Sequence, residues 1–308
     1  MHFNPEKDMP DLSGKTIIVT GGSSGLGKES VLQLVKHNPD KVYLAARTSK
    51  RGNAAIEEIE KEVPSAKGRI HYLEVDMASF ASVKQAADRI LAENTRLDIL
   101  MNNAGTTGNP ASLTSDGYEV QFGSNYMGPT LFTKLLLPLL LKTAGEPNSD
   151  VRIINLSSEL FKQAPSEGIL FPKLMTACED VSSVARYGQS KLANYYFSKV
   201  SAQKYPNITS VALHPGVVNT GIWDNLKTRR PVLGTVLSVV FGPFLTNVAD
   251  GAKAQLWAST AKKSEVKNGA FYTPKGNGNE YTQAILKNDK LANDLWEWTQ
   301  KEFAKHGF

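Results

Sequence analysis

The run Thr20-Gly21-Gly22-Ser23-Ser24-Gly25-Leu26-Gly27 lies between TIIVT (16–20) and KESVLQLVKH (28–37), and it constrains this chain more than any other feature. TIIVT is a short β-branched run and reads as a buried strand. The segment after the glycines carries Val31, Leu32, Leu34 and Val35, positions suited to a helix packed on a sheet. Glycines in such a turn let a ligand approach the backbone closely. The following helix N-terminus offers unpaired N–H groups and a positive dipole to a pyrophosphate. The plain alternative is a tight turn that binds nothing. Its place after the first strand of an alternating chain weighs against that alternative.

The alternation continues to the C-terminus. Strands are expected at 41–47, 70–76, 97–105, 151–158, 208–216 and 269–273. Helices are expected at 53–63, at 81–93 behind a Ser79 cap, and at about 116–144, 186–204, 248–262 and 290–305. Strands alternating with helices of this length predict right-handed βαβ units. The fold class is α/β: one doubly wound, Rossmann-type domain over 1–308, with a mostly parallel seven-stranded sheet and helices on both faces. Residues 217–247 break the pattern and read as a lid over a substrate. Its apolar run VLGTVLSVVF is taken as the lid's own core, against a lipophilic substrate wall or a membrane contact.

Composition closes off other classes. At 308 residues with 41% hydrophobic and 21% charged, the chain is neither disordered nor fibrous. No apolar run approaches the roughly 18–20 residues of a membrane span, so no transmembrane span is expected. MHFNPEKDMPDLSGK has no apolar h-region, so no secretory signal is expected. The single cysteine, Cys178, leaves no intrachain disulfide and fits a reducing, cytoplasmic setting. The net charge of +5 is scattered rather than patched, so no nucleic acid is expected as a partner. None of the five histidines has a carboxylate at metal-ligand spacing, and no metal is expected.

Two further patterns point to chemistry. Tyr187 and Lys191 are four apart, so on a helix they share a face about 6 Å apart along the axis. A free tyrosine, with a pKa of about 10, is a poor base at neutral pH, and a nearby ammonium would stabilise its phenolate. Tyr187 would then exchange a proton with a carbonyl or an alcohol. After the second strand the chain reads Leu44-Ala45-Ala46-Arg47, with no acidic residue to hold a ribose 2′-hydroxyl. Arg47 instead offers a planar cation to a 2′-phosphate, which predicts NADP(H). Lys28 and Lys50 read as solvated side chains.

The TGxxxGxG spacing opens a series of motifs: Asn102-Asn103-Ala104-Gly105 after strand four, Ser157-Ser158 ending strand five, Tyr187-Gly188-Gln189-Ser190-Lys191, and Pro215-Gly216 with Thr220. In that order the chain resembles the short-chain dehydrogenase/reductase family over nearly its whole length. VYLAAR, YGQSKLAN and HPGVV are similar to retinol-dehydrogenase-like members. The resemblance implies a catalytic set of Tyr187, Lys191, Ser158 and Asn125. Ser158 would orient the reacting oxygen, and Asn125 would help relay protons through water to Lys191. Ser157 would bond nearby backbone.

The resemblance also implies a cofactor site. It comprises Gly21, Ser23, Ser24, Gly25, Leu26 and Gly27 in the turn, and Arg47, Asp76, Asn103, Tyr187, Lys191, Val218 and Thr220 beyond it. Asp76 would meet the adenine, Lys191 the nicotinamide ribose, and Val218 with Thr220 the nicotinamide amide and phosphates. One departure is that Tyr187 comes 29 positions after Ser158, an insertion that should reshape the substrate mouth.

The expected function is hydride transfer between NADP(H) and the alcohol/carbonyl pair of a lipophilic small molecule. The alternatives are an NADP(H)-binding redox sensor without turnover and an epimerase or dehydratase, the latter disfavoured by the turn's spacing. Dimers and tetramers are common in the family, so a homodimer stands among the expected partners.

Overall fold

The computed structural model describes residues 3–218, 246–274 and 284–308. Its strands are β1 Thr16–Thr20, β2 Lys41–Ala46, β3 Ile70–Glu74, β4 Ile99–Asn102, β5 Val151–Leu156, β6 Ile208–Leu213 and β7 Phe271–Tyr272. They pair in the order β3-β2-β1-β4-β5-β6-β7, and every pairing is parallel. Parallel strands are buried on both faces, which is why TIIVT and ILMN read as continuous apolar runs rather than alternating ones. The order reverses between β1 and β4, and a doubly wound sheet opens its ligand crevice at such a point.

The described helices are α1 Pro5–Asp8, α2 Gly25–Val35, α3 Ser49–Glu62, α4 Phe80–Glu93, α5 Val120–Phe122, α6 Gly128–Ala144, α7 Ser183–Lys204, α8 Val248–Thr260 and α9 Asp289–Lys305. On one face Ile18, Leu100 and Ile153 pack with Phe80 of α4, Leu131 of α6, Leu192 of α7 and Phe303 of α9. On the other, Val19, Met101, Ile154 and Val211 pack with Val31 and Leu34 of α2, Ile59 of α3 and Leu256 of α8. Each such side chain contributes about 1.5–3 kcal/mol when fully buried. The sheet is therefore fixed from both sides, and its C-terminal edge becomes a rigid rim for the loops.

Three departures from the expected elements bear on the site. Strand β3 ends at Glu74, so Asp76 lies two residues past it in a turn, where its carboxylate accepts from the Ala78 N–H at 2.9 Å. Strand β5 ends at Leu156, so both serines lie just beyond the sheet. The helix expected from about 116 begins at Val120 and contains a π-helical turn, Gly123–Met127, before α6. Pro129 has no N–H, so the Asn125 carbonyl lacks its ordinary i+4 donor, and a wider turn accommodates this. Gly128 is required where this helix crosses the chain, since a Cβ there would sit 2.1 Å from the Met77 carbonyl.

Of the expected lid, only its two ends are described. Val218 pairs with Thr246 in a parallel bridge, and the Thr246 N–H donates to the Val217 carbonyl at 2.8 Å. The remainder of the lid, including Thr220, lies outside the described residues. Among the described residues no helix is long and apolar enough to cross a membrane, and no cluster of side chains could hold a metal.

Candidate active site

The turn after β1 is closed on itself. Gly21 and Gly25 hold φ angles of 68° and 52°, in the left-handed region that glycine tolerates. A Cβ on Gly27 would stand 2.3 Å from the Gly21 carbonyl, and one on Gly22 2.9 Å from Leu44. Ser24 caps α2 without lending its side chain to the helix. The first-turn N–H groups of an eleven-residue helix thus open onto a cradle that only glycine could line. This geometry fits a dinucleotide pyrophosphate.

Thr20 ties this turn to the loop after β4. Its buried hydroxyl accepts from the N–H groups of Asn103 and Ala104 at 3.0 Å each, and the Asn103 amide donates to the Thr20 carbonyl at 2.8 Å. Asn103 is therefore a brace within the site's floor. From α8, Gln255 donates to the Ser30 hydroxyl at 2.5 Å, while the Leu26 carbonyl and the Asn103 side-chain oxygen lie 3.3 and 3.4 Å away. Val218 reaches the same region: a Cβ on Gly251 of α8 would meet Val218 at 2.5 Å and Leu26 at 2.9 Å. Sequence reasoning missed Gln255, whose only signal is a glutamine within the apolar stretch AQLWA.

Arg47 follows β2 and is exposed, as is Lys50. Lys28 is ion-paired with Glu58 of α3.

At the far side of the crevice, β5 and α7 bring the expected catalytic side chains together. The Ser158 hydroxyl faces the Tyr187 phenol closely enough to pull its pKa down. Ser158 also caps the short 3-10 turn Glu159–Gln163, accepting from the Leu160 N–H at 3.2 Å. Ser157 instead donates to the Lys191 carbonyl at 2.6 Å. Both hydroxyls face α7, Ser157 bonded to its backbone and Ser158 beside its phenol. The Lys191 ammonium donates to the Leu156 carbonyl at 2.9 Å and lies 5.5 Å from the Tyr187 ring centroid.

Burial governs the protonation of this pair. It pushes the Tyr187 phenol up to about 12, against the downward pull of the nearby Ser158 hydroxyl. It pushes Lys191 down to about 8. The lysine was expected to lower the phenol's pKa. Desolvation outweighs that effect here, because it penalises the phenolate and the ammonium alike.

Asn125 has its side chain fully committed. Its oxygen accepts from the Thr106 N–H at 2.7 Å, and its amide donates to the Thr106 carbonyl at 2.9 Å and the Ser190 hydroxyl at 3.0 Å. It locks the loop after β4 to α7 one residue before Lys191. Gly105 sits in the gap, where a Cβ would stand 3.3 Å from both the Asn125 oxygen and the Lys191 nitrogen.

The comparisons match this arrangement. Residues 15–172 fit the family described as short chain dehydrogenase. An uncharacterized oxidoreductase of Schizosaccharomyces pombe is 38% identical over 96% of this chain and 87% of its own length. The chain belongs to the short-chain dehydrogenase/reductase family. As a member it is an NAD(P)-dependent oxidoreductase acting on a small molecule. Retinol dehydrogenase 12 of Mus musculus, in the same family, is 33% identical over 92% of this chain and 85% of the relative.

Solved structures share the fold. An uncharacterized protein from Mycobacterium paratuberculosis superposes with a TM-score of 0.73 at 25% identity, covering 96% of both chains. The NADPH-bound carbonyl reductase from chicken fatty liver gives 0.64 at 23% identity, covering 87% of this chain and 99% of that one.

Proposed function

We propose that this short-chain dehydrogenase/reductase transfers a hydride between NADP(H) and the carbonyl–alcohol pair of a lipophilic small molecule. The observation that carries the reading is the Lys191 ammonium buried 5.5 Å from the Tyr187 ring, with the Ser158 hydroxyl facing the phenol. A bound nicotinamide cofactor supplies or accepts the hydride. The glycine turn from Gly21 to Gly27 holds the pyrophosphate. Arg47 takes the 2′-phosphate, Asp76 the adenine edge, and Lys191 the ribose. Val218 would border the nicotinamide amide.

Ser158 donates to the substrate oxygen and strengthens that bond as charge develops on it. Tyr187, a neutral phenol at rest, donates its proton to the same oxygen. Lys191, cationic below about pH 8, stabilises the phenolate that remains. This resting protonation supports the reductive direction, because a phenol held up to about 12 is a donor before it is a base. Asn125 braces the two halves of the site. It would also help relay protons through water to Lys191.

Two observations support a lipophilic substrate. Of the seven exposed large apolar side chains among the described residues, five, Leu113, Leu160, Met175, Val184 and Val217, belong to loops, a 3-10 turn or the helix start that follow β4, β5 and β6, whereas Leu91 and Leu141 lie on α4 and α6. The relative named retinol dehydrogenase 12 aligns along most of the chain.

The test is cofactor consumption with decanal, a hydrophobic ketone panel and both nicotinamide cofactors. Higher kcat/KM with NADPH than with NADH, and a fall in that ratio in Arg47→Ala, is expected. No turnover of any carbonyl despite NADPH binding would support a sensor instead.

A further inference from the structure

The first turn of α7 is held by a buried ion pair that the reaction does not itself use. Arg186, directly before Tyr187, is 3% exposed, and Glu119 is fully buried. The Arg186 guanidinium donates to the Glu119 carboxylate at 2.5 Å, to the Asn109 carbonyl at 2.9 Å and to the Val181 carbonyl at 3.2 Å. The second Glu119 oxygen accepts from the Phe122 N–H at 2.7 Å, at the start of the helix that carries Asn125.

One guanidinium thus joins three segments. These are the loop leading from Gly105, the helix start below Asn125, and the end of the insertion between Ser158 and Tyr187. Ser183, on α7, adds a bond to the same Asn109 carbonyl at 3.3 Å. A buried ion pair is weak evidence of net stabilisation, since desolvation of both charges offsets most of their attraction. Its attested use is to specify one arrangement among several. Here the arrangement specified is the position of the residue that moves the proton.

We propose that the Glu119–Arg186 pair is a positioning element, setting the Tyr187 hydroxyl against Ser158 and Lys191 by fixing the first turn of α7 to the Asn125 helix and the loop after β4. This inference rests on the reading of Tyr187 as proton donor. Neither residue touches the reacting atoms. Catalysis is sensitive to such placement, because displacement of a reacting group by about 1 Å costs on the order of 100-fold.

The test compares wild type, Glu119→Gln/Arg186→Met and Arg186→Lys on decanal reduction, with NADPH affinity and Tm measured for each. The double variant removes both buried charges together, leaving neither unpaired. It is expected to lower the Tm, since the Asn109 and Val181 carbonyls lose a charged donor, and to keep its NADPH Kd within about twofold, while kcat falls roughly 10- to 100-fold. Arg186→Lys keeps a cation on Glu119 but loses the planar fork, and should restore part of that loss.

A folded double variant with kcat within twofold of wild type overturns the proposal, as does an equal loss of NADPH affinity. If the double variant does not fold, Arg186→Lys decides by the same criterion. Wild type that binds NADPH but reduces neither decanal nor any ketone of the panel overturns the underlying reading of Tyr187, and the pair's role with it; if only a ketone is reduced, that ketone replaces decanal in the comparison.

Discussion

The Lys191 ammonium lies 5.5 Å from the centroid of the Tyr187 ring and is anchored by the Leu156 carbonyl at 2.9 Å. Burial lowers the lysine to about 8 and raises the tyrosine to about 12, so the pair rests as a phenol beside a cation near neutral pH. A base with a lowered pKa loses its charge as pH rises through that value. The reductive kcat/KM is therefore expected to fall as pH rises through about 8. Lys191→Arg, cationic throughout this range, should flatten that limb at a lower plateau. A wild-type profile that rises across pH 8 would contradict the assignment.

The two adjacent serines do different work. Ser158 faces the phenol of Tyr187, whereas Ser157 is spent on the Lys191 backbone carbonyl. Ser158→Ala should cost kcat roughly 10²–10³, the range for losing one donor to a developing oxyanion. Ser157→Ala should cost less than about tenfold and show mainly as a lower Tm, because a buried carbonyl loses its partner. Steady-state kinetics and thermal melts on the two variants check the order.

Gly105 leaves room for Asn125 and Lys191 to sit side by side. Gly105→Ala would put a Cβ 3.3 Å from both polar atoms, tight enough that one must shift by a few tenths of an ångström. The expected result is a fall in kcat of about tenfold with little change in Tm, since the backbone there needs no positive φ. Parallel melts and kinetics on this single variant measure both.

Arg152 is a stability residue although it sits in a central strand. Its guanidinium donates to the Ala258 carbonyl at 2.8 Å and to the Ala261 carbonyl at the C-terminal end of α8, and it pairs with Asp150 at 2.5 Å. A cation placed against the last carbonyls of a helix is favourable. Arg152→Met should destabilise by about 2–4 kcal/mol, because two carbonyls lose a charged donor. Urea denaturation checks it, with cofactor affinity expected to hold.

The sheet was legible because parallel strands buried on both faces read as apolar runs, and each glycine turn or cap marked where a run stopped. Ser158, Tyr187, Lys191 and the glycine turn were legible as motifs, and the structure gathers all of them along the C-terminal edge of one sheet. Protonation was not. Spacing put a lysine next to Tyr187, but only the depth of the cleft reveals that desolvation raises the phenol. The commitment of the Asn125 side chain was hidden too, because Thr106 and Ser190 meet it only after the chain folds. Gln255 left only a glutamine in an apolar stretch and the Glu119–Arg186 pair no local signal, since their partners lie 67 to 229 positions away in sequence.

The most direct test is single-turnover carbonyl reduction by Tyr187→Phe with NADPH already bound. Removing one hydroxyl should leave NADPH affinity within about twofold, because the aromatic ring beside Lys191 remains. The rate should fall at least 100-fold, since the phenolic proton donor beside Ser158 and Lys191 is gone. A Tyr187→Phe enzyme that binds NADPH normally and reduces the carbonyl within tenfold of the wild-type rate would contradict the account at its centre.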